Sequence, residues 1–410
     1  MKGRRWRRLS ALKYWVWLSS LSGVGAKTAG ALLRHFGAPE KIYSANENDY
    51  IGIEGLNSSV VSGLINKDIE PANKILSSCV ETGCRVITLQ DADYPERLRN
   101  IYDPPIVLYV RGNLPNIDDE AVVGIVGTRR CTPYGVSVAE NTAYNLARRG
   151  LIIATGLAKG VDSAAARGAL RGGGLVLGVI GSGIDIVYPA ENKALFEDVA
   201  GKGAVISEYP PGTPPVMGHF PARNRIISGL SVGVAVIEAP KRSGALITAA
   251  RALEQGRDVF ALPGNVDARS CEGSNALLRE GAIPFLSADD IINEYVDLFP
   301  DKITDPVDNS NENNRFDADK AVINEIAENK KVIDNATAVD YIDFDKILNA
   351  LTGDEKTVAE TIGGKALHID DIIIRSGLPA HVVLTAVTML EIKGSAARGA
   401  GGRIQLKNPE

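Results

Sequence analysis

Two adjacent arginines, Arg129 and Arg130, stand in the segment GIVGTRRCTPYG at residues 124–135, directly after an apolar run at 121–123. This order predicts a strand, a glycine turn and a helix, and such a turn offers free backbone N–H groups and a helix N-terminus to a phosphate. The segment matches neither G-x-G-x-x-G nor G-x-x-x-x-G-K-[ST]. Nucleotide-binding turns usually have small residues where these arginines stand. The turn therefore predicts a phosphate site of a different kind.

Four glycine turns follow predicted strands in the middle of the chain. They are GTRR at 127–130, TGLAKGVD at 155–162, GSGIDIVYP at 181–189 and PKRSGALITAA at 240–250. Because the carboxyl ends of parallel strands meet at one edge of a sheet, we expect these turns to line one groove. One mononucleotide needs fewer turns than this. The basic residues within or near the turns are Arg129, Lys159, Lys193, Arg223, Arg225, Lys241 and Arg242.

The segment GHFPARNRIISGLS at 218–231 places an aromatic residue close to basic and polar ones, namely Phe220, Arg223, Asn224 and Arg225. Arginine forks bind phosphate with two hydrogen bonds, and an aromatic face can stack on an unpaired base. The segment therefore indicates contacts with a nucleic-acid strand. In the alternative interpretation Phe220 belongs to the core, and the arginines form structural ion pairs with Asp162 or Glu208.

A catalytic set is not evident in the sequence. The four histidines lie in three separate regions, and no cluster of His, Cys and Asp has the spacing of metal ligands. No G-x-S-x-G motif is present, and Ser182 has no base candidate near it in the sequence. The acids at predicted strand ends, Asp162, Asp185 and Glu208, are expected to orient loop amides. We therefore expect no metal, no cofactor and no catalytic activity.

The alternation of apolar runs and helical patterns predicts an α/β fold. Eight runs, at 85–89, 106–110, 121–126, 151–155, 175–180, 204–208, 232–238 and 258–262, are separated by segments such as the helical pattern at 136–149. Strands without clean polar alternation, spaced by helices, predict a parallel sheet that is buried on both faces.

The two ends of the chain differ from the middle in predicted secondary structure and in charge. Residues 10–70 read as short helices broken by glycine, and the segments at 21–37 and 51–64 resemble paired helix–hairpin–helix units. Residues 1–39 hold eight Lys or Arg and no acid, which suits a polyanion, although a purely structural helical bundle is the open alternative. Residues 301–343 hold eleven acids against five bases and predict a linker. The order of predicted elements at 344–410 is that of a winged-helix domain.

Bulk composition limits the possible classes of protein. A net charge of −5 argues against a protein whose whole surface coats nucleic acid, but it allows a local basic groove. Four scattered cysteines without a CxxC pair predict no disulfide framework and favour a reducing, cytoplasmic location. The basic start is interrupted by Lys13 and serines, so an export signal is not expected, and no run approaches ~18 consecutive apolar residues.

Several segments together resemble the DNA-processing protein A (DprA/Smf) family. They are VGTRR…YG, TGLAKGVDSAAARGAL, GSGIDIVYPAENKAL, SEYPPGTPP, HFPARNRIISGLS, SGALITAARALEQGRDVFALPG and EGSNALLREGA. The resemblance is continuous from about 85 to 290. It implies an extended Rossmann-like, mostly parallel sheet with helices on both faces at 85–300. A small all-α, helix–hairpin–helix or SAM-like domain at 1–84 and a winged helix at 344–410 fit the longer members.

The resemblance also implies a function. Members of this family bind single-stranded DNA in natural transformation, protect incoming strands and load the RecA recombinase, working as homodimers through the Rossmann-like domain. The family turn Gly-Ser/Thr-Arg falls on Gly127, Thr128 and Arg129. Together with the aromatic–arginine segment and the other turns, the expected DNA-binding residues are Gly127, Thr128, Arg129, Gly156, Lys159, Gly160, Gly181, Gly183, Lys193, Gly218, Phe220, Arg223, Asn224, Arg225, Ser243 and Gly244.

Two positions depart from the family pattern. Relatives often have lysine three residues before the phenylalanine, where this chain has Met217, so part of the basic pocket is expected to be weaker. Relatives also often have histidine in Gly-Ile-Asp-x-x-Ala-His, where this chain has Ala166. The second departure argues that no essential proton transfer occurs there.

Two other functions stay open at this point. A related Rossmann-like class, the nucleoside-monophosphate phosphoribohydrolases, uses the loop Pro-Gly-Gly-x-Gly-Thr-x-x-Glu with a catalytic glutamate. The corresponding stretch here is PKRSGALITAARAL, with Ala249 and Ala250 near the position of that acid. A pure interaction scaffold is the third possibility.

Overall fold

A computed structural model describes residues 2–304, 351, 353–363, 367–398 and 403–406. The chain divides into two compact units, residues 1–307 and 308–410, and each is described by itself. The predicted linker at 301–343 lies outside the described residues from 305 onward, as does the start of the predicted winged-helix domain at 344–350. The four predicted domain boundaries therefore remain predictions.

A nine-stranded sheet organises the described part of the first unit. Its strands are β1 (Arg85–Thr88), β2 (Val107–Gly112), β3 (Val122–Val126), β4 (Ile152–Thr155), β5 (Val176–Ile180), β6 (Ala204–Ser207), β7 (Gly233–Val236), β8 (Asp258–Ala261) and β9 (Ile283–Pro284). Their spatial order is β1-β2-β6-β5-β4-β3-β7-β8-β9. Neighbouring strands from β3 to β9 run parallel, whereas β2 is antiparallel to both β1 and β6. The predicted mostly parallel α/β sheet is confirmed.

Helices cover both faces of this sheet. They are α6 (Glu96–Arg99), α7 (Pro133–Arg148), α8 (Val161–Arg171), α9 (Lys193–Lys202), α10 (His219–Leu230), α11 (Gly244–Glu254), α12 (Glu272–Arg279) and α13 (Ala288–Asn293). Strand β3 shows why both faces are needed. Val123 and Ile125 belong to the apolar core beneath α7, α8 and α9, while Val122 and Val126 belong to the core beneath α10 and α11. An uninterrupted apolar strand is stable only between two such layers.

Five helices precede the sheet: α1 (Lys2–Ser20), α2 (Ala26–Phe36), α3 (Pro39–Ser44), α4 (Ser58–Asn66) and α5 (Glu70–Glu81). Trp15, Trp17 and Leu18 of α1 are buried in the same apolar cluster as Tyr109 of β2. The helical segment therefore packs onto the antiparallel edge of the sheet and belongs to the same compact unit. The described residues that precede β1 form helices, as predicted for an all-α start.

The second unit contains α14 (Asp354–Ile362), β10 (Leu367–His368), α15 (Ile369–Ser376), α16 (Ala380–Ile392), β11 (Ala396–Arg398) and β12 (Arg403–Leu406). The strands form an antiparallel sheet in the order β10-β12-β11. Pro379 stands at the N-cap of α16, where its fixed φ and missing N–H are tolerated. Helices followed by a two-stranded hairpin give the predicted winged-helix order.

No single helix among the described residues has both the length and the apolar character to cross a membrane. Ile369–Ser376 and Ala380–Ile392 have enough length and apolar character only when the two helices are taken together, across a 117° bend. Val383, Ala386, Val387 and Leu390 of the second helix are buried in the core of their own unit.

Candidate functional site

One candidate site lies where the strand order of the sheet reverses direction. The chain proceeds from β3 to β4 on one side, whereas β7 pairs with β3 on the other side. In open parallel sheets ligands bind outside the carboxyl ends of the strands at such a switch point. A groove of about 620 Å³ occupies this place. We call it the switch-point groove; its lining includes Gly127, Thr128, Arg129, Arg130, Asp162, Tyr188, Met217, Phe220, Arg223, Asn224, Arg242, Ser243 and Gly244.

The turn that carries Arg129 and Arg130 is fixed by a buried carboxylate. Glu238, just beyond β7, accepts hydrogen bonds from Thr132 N at 2.8 Å and from Thr132 Oγ1 at 2.6 Å. Its backbone oxygen accepts a bond from Thr128 N at 2.7 Å. At Gly127 a side chain is excluded, because a Cβ there would lie 2.5 Å from Val161 Cγ2. The turn is therefore held at both ends while its two arginine side chains remain exposed.

Arg129 forms an aromatic–cationic cluster on the wall of the groove. Its guanidinium carbon lies 5.1 Å from the ring centroid of Phe220, and the Tyr188 ring lies 5.5 Å from the same ring. Tyr188 is 46% exposed. No carboxylate in the part of the chain that the structure describes forms an ion pair with Arg129. A charged fork beside two accessible aromatic rings can bind a phosphate and a base at the same time.

Arg223 and Asp162 form the buried floor of the groove. Nη1 of Arg223 donates to the backbone oxygens of Gly156, at 2.9 Å, and of Val179. Oδ2 of Asp162 accepts a hydrogen bond from Gly156 N at 3.1 Å. Burial raises the pKa of Asp162 to about 6, although Arg223 and the nearby N–H groups favour its charged form. Burial also lowers the pKa of Arg223 to about 10.

Arg225 lies outside the lining of the groove. It is 6% exposed, and its Nη1 lies 2.6 Å from Glu208 Oε2 while its Nε lies 3.3 Å from Asp103 Oδ2. Burial acts to lower the pKa of Arg225, but the two carboxylates outweigh it and raise the pKa above its ordinary value. For Arg225 the geometry is that of the alternative interpretation from the sequence, a structural ion pair with Glu208.

The charge of the groove is opposite to that of the whole chain. Its lining contains four arginines, Arg129, Arg130, Arg223 and Arg242, and, within the described residues, one acid, Asp162. The first residues of α11, Gly244 and Ala245, also line it, so the N-terminus of that helix faces the groove. Exposed guanidinium groups, a helix N-terminus and open aromatic rings suit a polyanion that carries bases.

The structure brings half of the predicted site residues together. Those lining the groove are Gly127, Thr128, Arg129, Phe220, Arg223, Asn224, Ser243 and Gly244. Those absent from its lining are Gly156, Lys159, Gly160, Gly181, Gly183, Lys193, Gly218 and Arg225. Several of the second set support the first: Gly156 binds Arg223 and Asp162, and a Cβ at Gly181 would lie 3.1 Å from Phe220 Cδ1. Lys159 instead pairs with Glu191 at 3.1 Å on the surface. Contact of each residue with DNA remains a prediction.

Two residues of this site were not identified from the sequence. Tyr188 reaches the groove from the turn after β5, where the expected DNA-binding residues were the glycines Gly181 and Gly183. Glu238 contributes to the site by holding the turn at Thr132. In the sequence, the feature that could have identified it is an acidic residue at the end of the apolar run 232–238. Asp162 and Asp185 accept backbone N–H groups, from Gly156 and from Gly212 at 2.8 Å, as expected for acids that orient loop amides.

The stretch aligned with the phosphoribohydrolase loop forms the start of α11. Ala249 is buried in the apolar core on that face of the sheet, and Ala250 is exposed on the helix surface. Neither side chain provides a carboxylate near the groove. Among the described residues no group of three or more His, Cys, Asp or Glu could hold a metal ion.

Comparison with known proteins gives consistent matches along the chain. Residues 85–296 match the family described as DNA recombination-mediator protein A, and residues 345–402 match the DprA winged helix domain. Protein Smf of Synechocystis sp. is 38% identical over 284 residues, which cover 68% of this chain and 71% of that protein. DNA processing protein A of Streptococcus pneumoniae has a similar X-ray structure, with a TM-score of 0.61, 36% identity, and coverage of 68% of this chain and 96% of that one. A structure of DNA processing protein A from Helicobacter pylori, concerned with its single-stranded DNA binding mode, matches with a TM-score of 0.48, 32% identity, and coverage of 52% and 96%.

Proposed function

Because this chain belongs to the DNA recombination-mediator protein A family, we propose that it binds single-stranded DNA in the switch-point groove. The observation that carries the proposal is the composition of the groove: four arginines, one acid and two accessible aromatic rings at the reversal of strand order. The chain as a whole has a net charge of −5, so this local concentration of positive charge favours an anionic ligand in the groove.

The chemistry of the groove favours an unpaired strand over a duplex. Phe220 and Tyr188 offer ring surfaces on which a base can stack only when it is not enclosed in a double helix. Arg129 and Arg130 project from a fixed turn toward the phosphates of that strand. Arg223 beneath them is buried and bonded to backbone oxygens, so it contributes positive charge to the floor of the groove.

Family membership supports a wider role for this binding. We propose that the chain protects incoming single strands in natural transformation and loads the RecA recombinase onto them. In this account it acts without catalysis, as a homodimer through the Rossmann-like domain, and in the cytoplasm. The four cysteines, all free thiols, support a reducing compartment.

Removal of the Arg129 side chain tests this proposal. Arg129→Ala should lower the magnitude of the log–log salt slope for oligo(dT) binding by about 0.7, because one counterion-releasing phosphate contact is lost. Affinity should fall for all base sequences alike. Arg129→Lys should restore it poorly, since lysine lacks the planar fork. Fluorescence anisotropy across a salt series measures each slope.

Arg171→Ala provides the matched control, because Arg171 is exposed on α8 and pairs with Glu140 away from the groove. It should leave the slope unchanged. An Arg129→Ala protein with a wild-type slope and a lower melting temperature would assign Arg129 to structural stabilisation and contradict the proposed contact.

A further inference from the structure

A second cavity, of about 320 Å³, lies between the helical start of the chain and the loops at the edge of the sheet. Lys27 and Arg34 of α2 line one side, and Leu89, Gln90 and Tyr102 line the other. Among the described residues, no acid is present in this lining. The cavity therefore combines positive charge with apolar and aromatic surface.

The two basic residues are available to a ligand. Lys27 and Arg34 are seven positions apart on α2, which places them on one face of the helix. Both are exposed. Within the described residues neither forms a hydrogen bond or an ion pair; Lys27 Nζ lies 4.5 Å from the ring centroid of Tyr102. A phosphate placed between them would have two positively charged partners without displacing a carboxylate.

Tyr102 is 82% exposed, and contacts of its neighbours hold the loop that carries it. Its neighbour Asp103 pairs with Arg225, and Tyr94 Oη donates to Pro105 O at 2.8 Å. A loop that is fixed before binding loses less entropy when a base stacks on one of its side chains. Tyr102 is thus an accessible ring on a preorganised support, with a cation beside it.

Helix α10 contacts both the switch-point groove and the loop that carries Tyr102. Arg223 and Asn224 of α10 line the groove, while the next residue, Arg225, contacts Asp103 beside Tyr102. Helix α10 therefore contributes residues to the groove and also holds the loop whose Tyr102 lines the second cavity.

From these observations we infer that the cavity is a second subsite for single-stranded nucleic acid. A base stacks on Tyr102, and an adjacent phosphate lies between Lys27 and Arg34. The inference rests on the proposed binding of a strand in the switch-point groove and extends its path. It assigns a binding function to the helical start of the chain.

Oligonucleotide length separates the two sites. We choose oligo(dT) of about 6 and about 20 nucleotides, because single-stranded DNA domains bind ~4–16 nucleotides each. In the full chain, the double variant Lys27→Ala/Arg34→Ala should reduce the magnitude of the log–log salt slope for the long oligonucleotide by about 1.4, because two phosphate contacts of ~0.7 each are lost. Tyr102→Ala should weaken long-oligonucleotide binding roughly 5- to 150-fold, the equivalent of ~1–3 kcal/mol for one stacked base, and Tyr102→Phe should retain it. None of these variants should change binding of the short oligonucleotide.

Lys41→Ala/Lys74→Ala is the matched control, since it removes two exposed positive charges from the same helical segment outside the cavity. It should leave both slopes unchanged. The inference would be overturned if all variants bound the long oligonucleotide as the wild type does. It would also be overturned if the control variant lost as much binding as the cavity variants. Failure of the wild-type protein to bind either oligonucleotide would instead reject the proposed function.

Discussion

Arg225→Ala is expected to lower the free energy of unfolding of the first unit by about 3 kcal/mol, the lower end of the ~3–5 kcal/mol lost when one partner of a buried ion pair is removed. The substitution leaves Glu208 and Asp103 without their shared cation. Their side chains are 21% and 25% exposed, so water offsets part of the loss. Chemical denaturation followed by circular dichroism measures the change.

Arg251→Ala is the appropriate control for this prediction. Arg251 is exposed on α11 and pairs with Glu254 three residues further on, an arrangement that contributes about 0.2–0.5 kcal/mol. Both variants remove one positive charge. If Arg225→Ala were as stable as Arg251→Ala but lost oligonucleotide binding, the residue would be a DNA contact and not a structural one.

Phe220→Ala should weaken oligo(dT) binding by about 1–3 kcal/mol, the contribution of one stacked base to affinity. This corresponds to a roughly 5- to 150-fold increase in Kd. The salt slope should change little, because a lost stacking contact releases no counterion. This response differs from that of Arg129→Ala, in which the slope itself falls. A salt series with both variants therefore separates stacking from charge.

Two conservative variants control for the packing role of Phe220, which also lies against Gly181. Phe220→Tyr should bind nearly as well as the wild type, since it keeps the aromatic face. Phe220→Leu keeps apolar volume but offers no ring, so it should bind as poorly as the alanine variant. Wild-type affinity of Phe220→Leu would show that the residue only packs.

The sheet could be predicted because its strands are buried on both faces. A run such as 121–126 contains no polar residue, which is the pattern of a strand buried on both faces. Each of the eight predicted runs contains a strand. β9 was missed because a pair of residues, Ile283 and Pro284, carries no periodic signal. The antiparallel direction of β2 was not predicted either, because the periodicity of a strand does not encode the direction of its neighbours.

The candidate site was predictable at the level of its turns but not of each side chain. Turns after parallel strands converge by topology, which placed Gly127, Arg129 and Gly244 at one groove. The direction of a side chain on α10 depends on its partners across the fold. Arg225 turns toward Asp103, 122 positions earlier in the chain, and no local pattern reveals that pair. Tyr188 was missed for the same reason.

The central claim is that an unpaired strand occupies the switch-point groove, and a comparison of strand forms tests it most directly. Binding of the full chain to labelled poly-dT and to a duplex of equal length is titrated at matched salt concentrations. Stacking of even one base implies a preference for the single strand of at least about fivefold, from ~1 kcal/mol per base, with little dependence on base sequence. Binding to the duplex that equals or exceeds binding to poly-dT across the salt series would contradict the account.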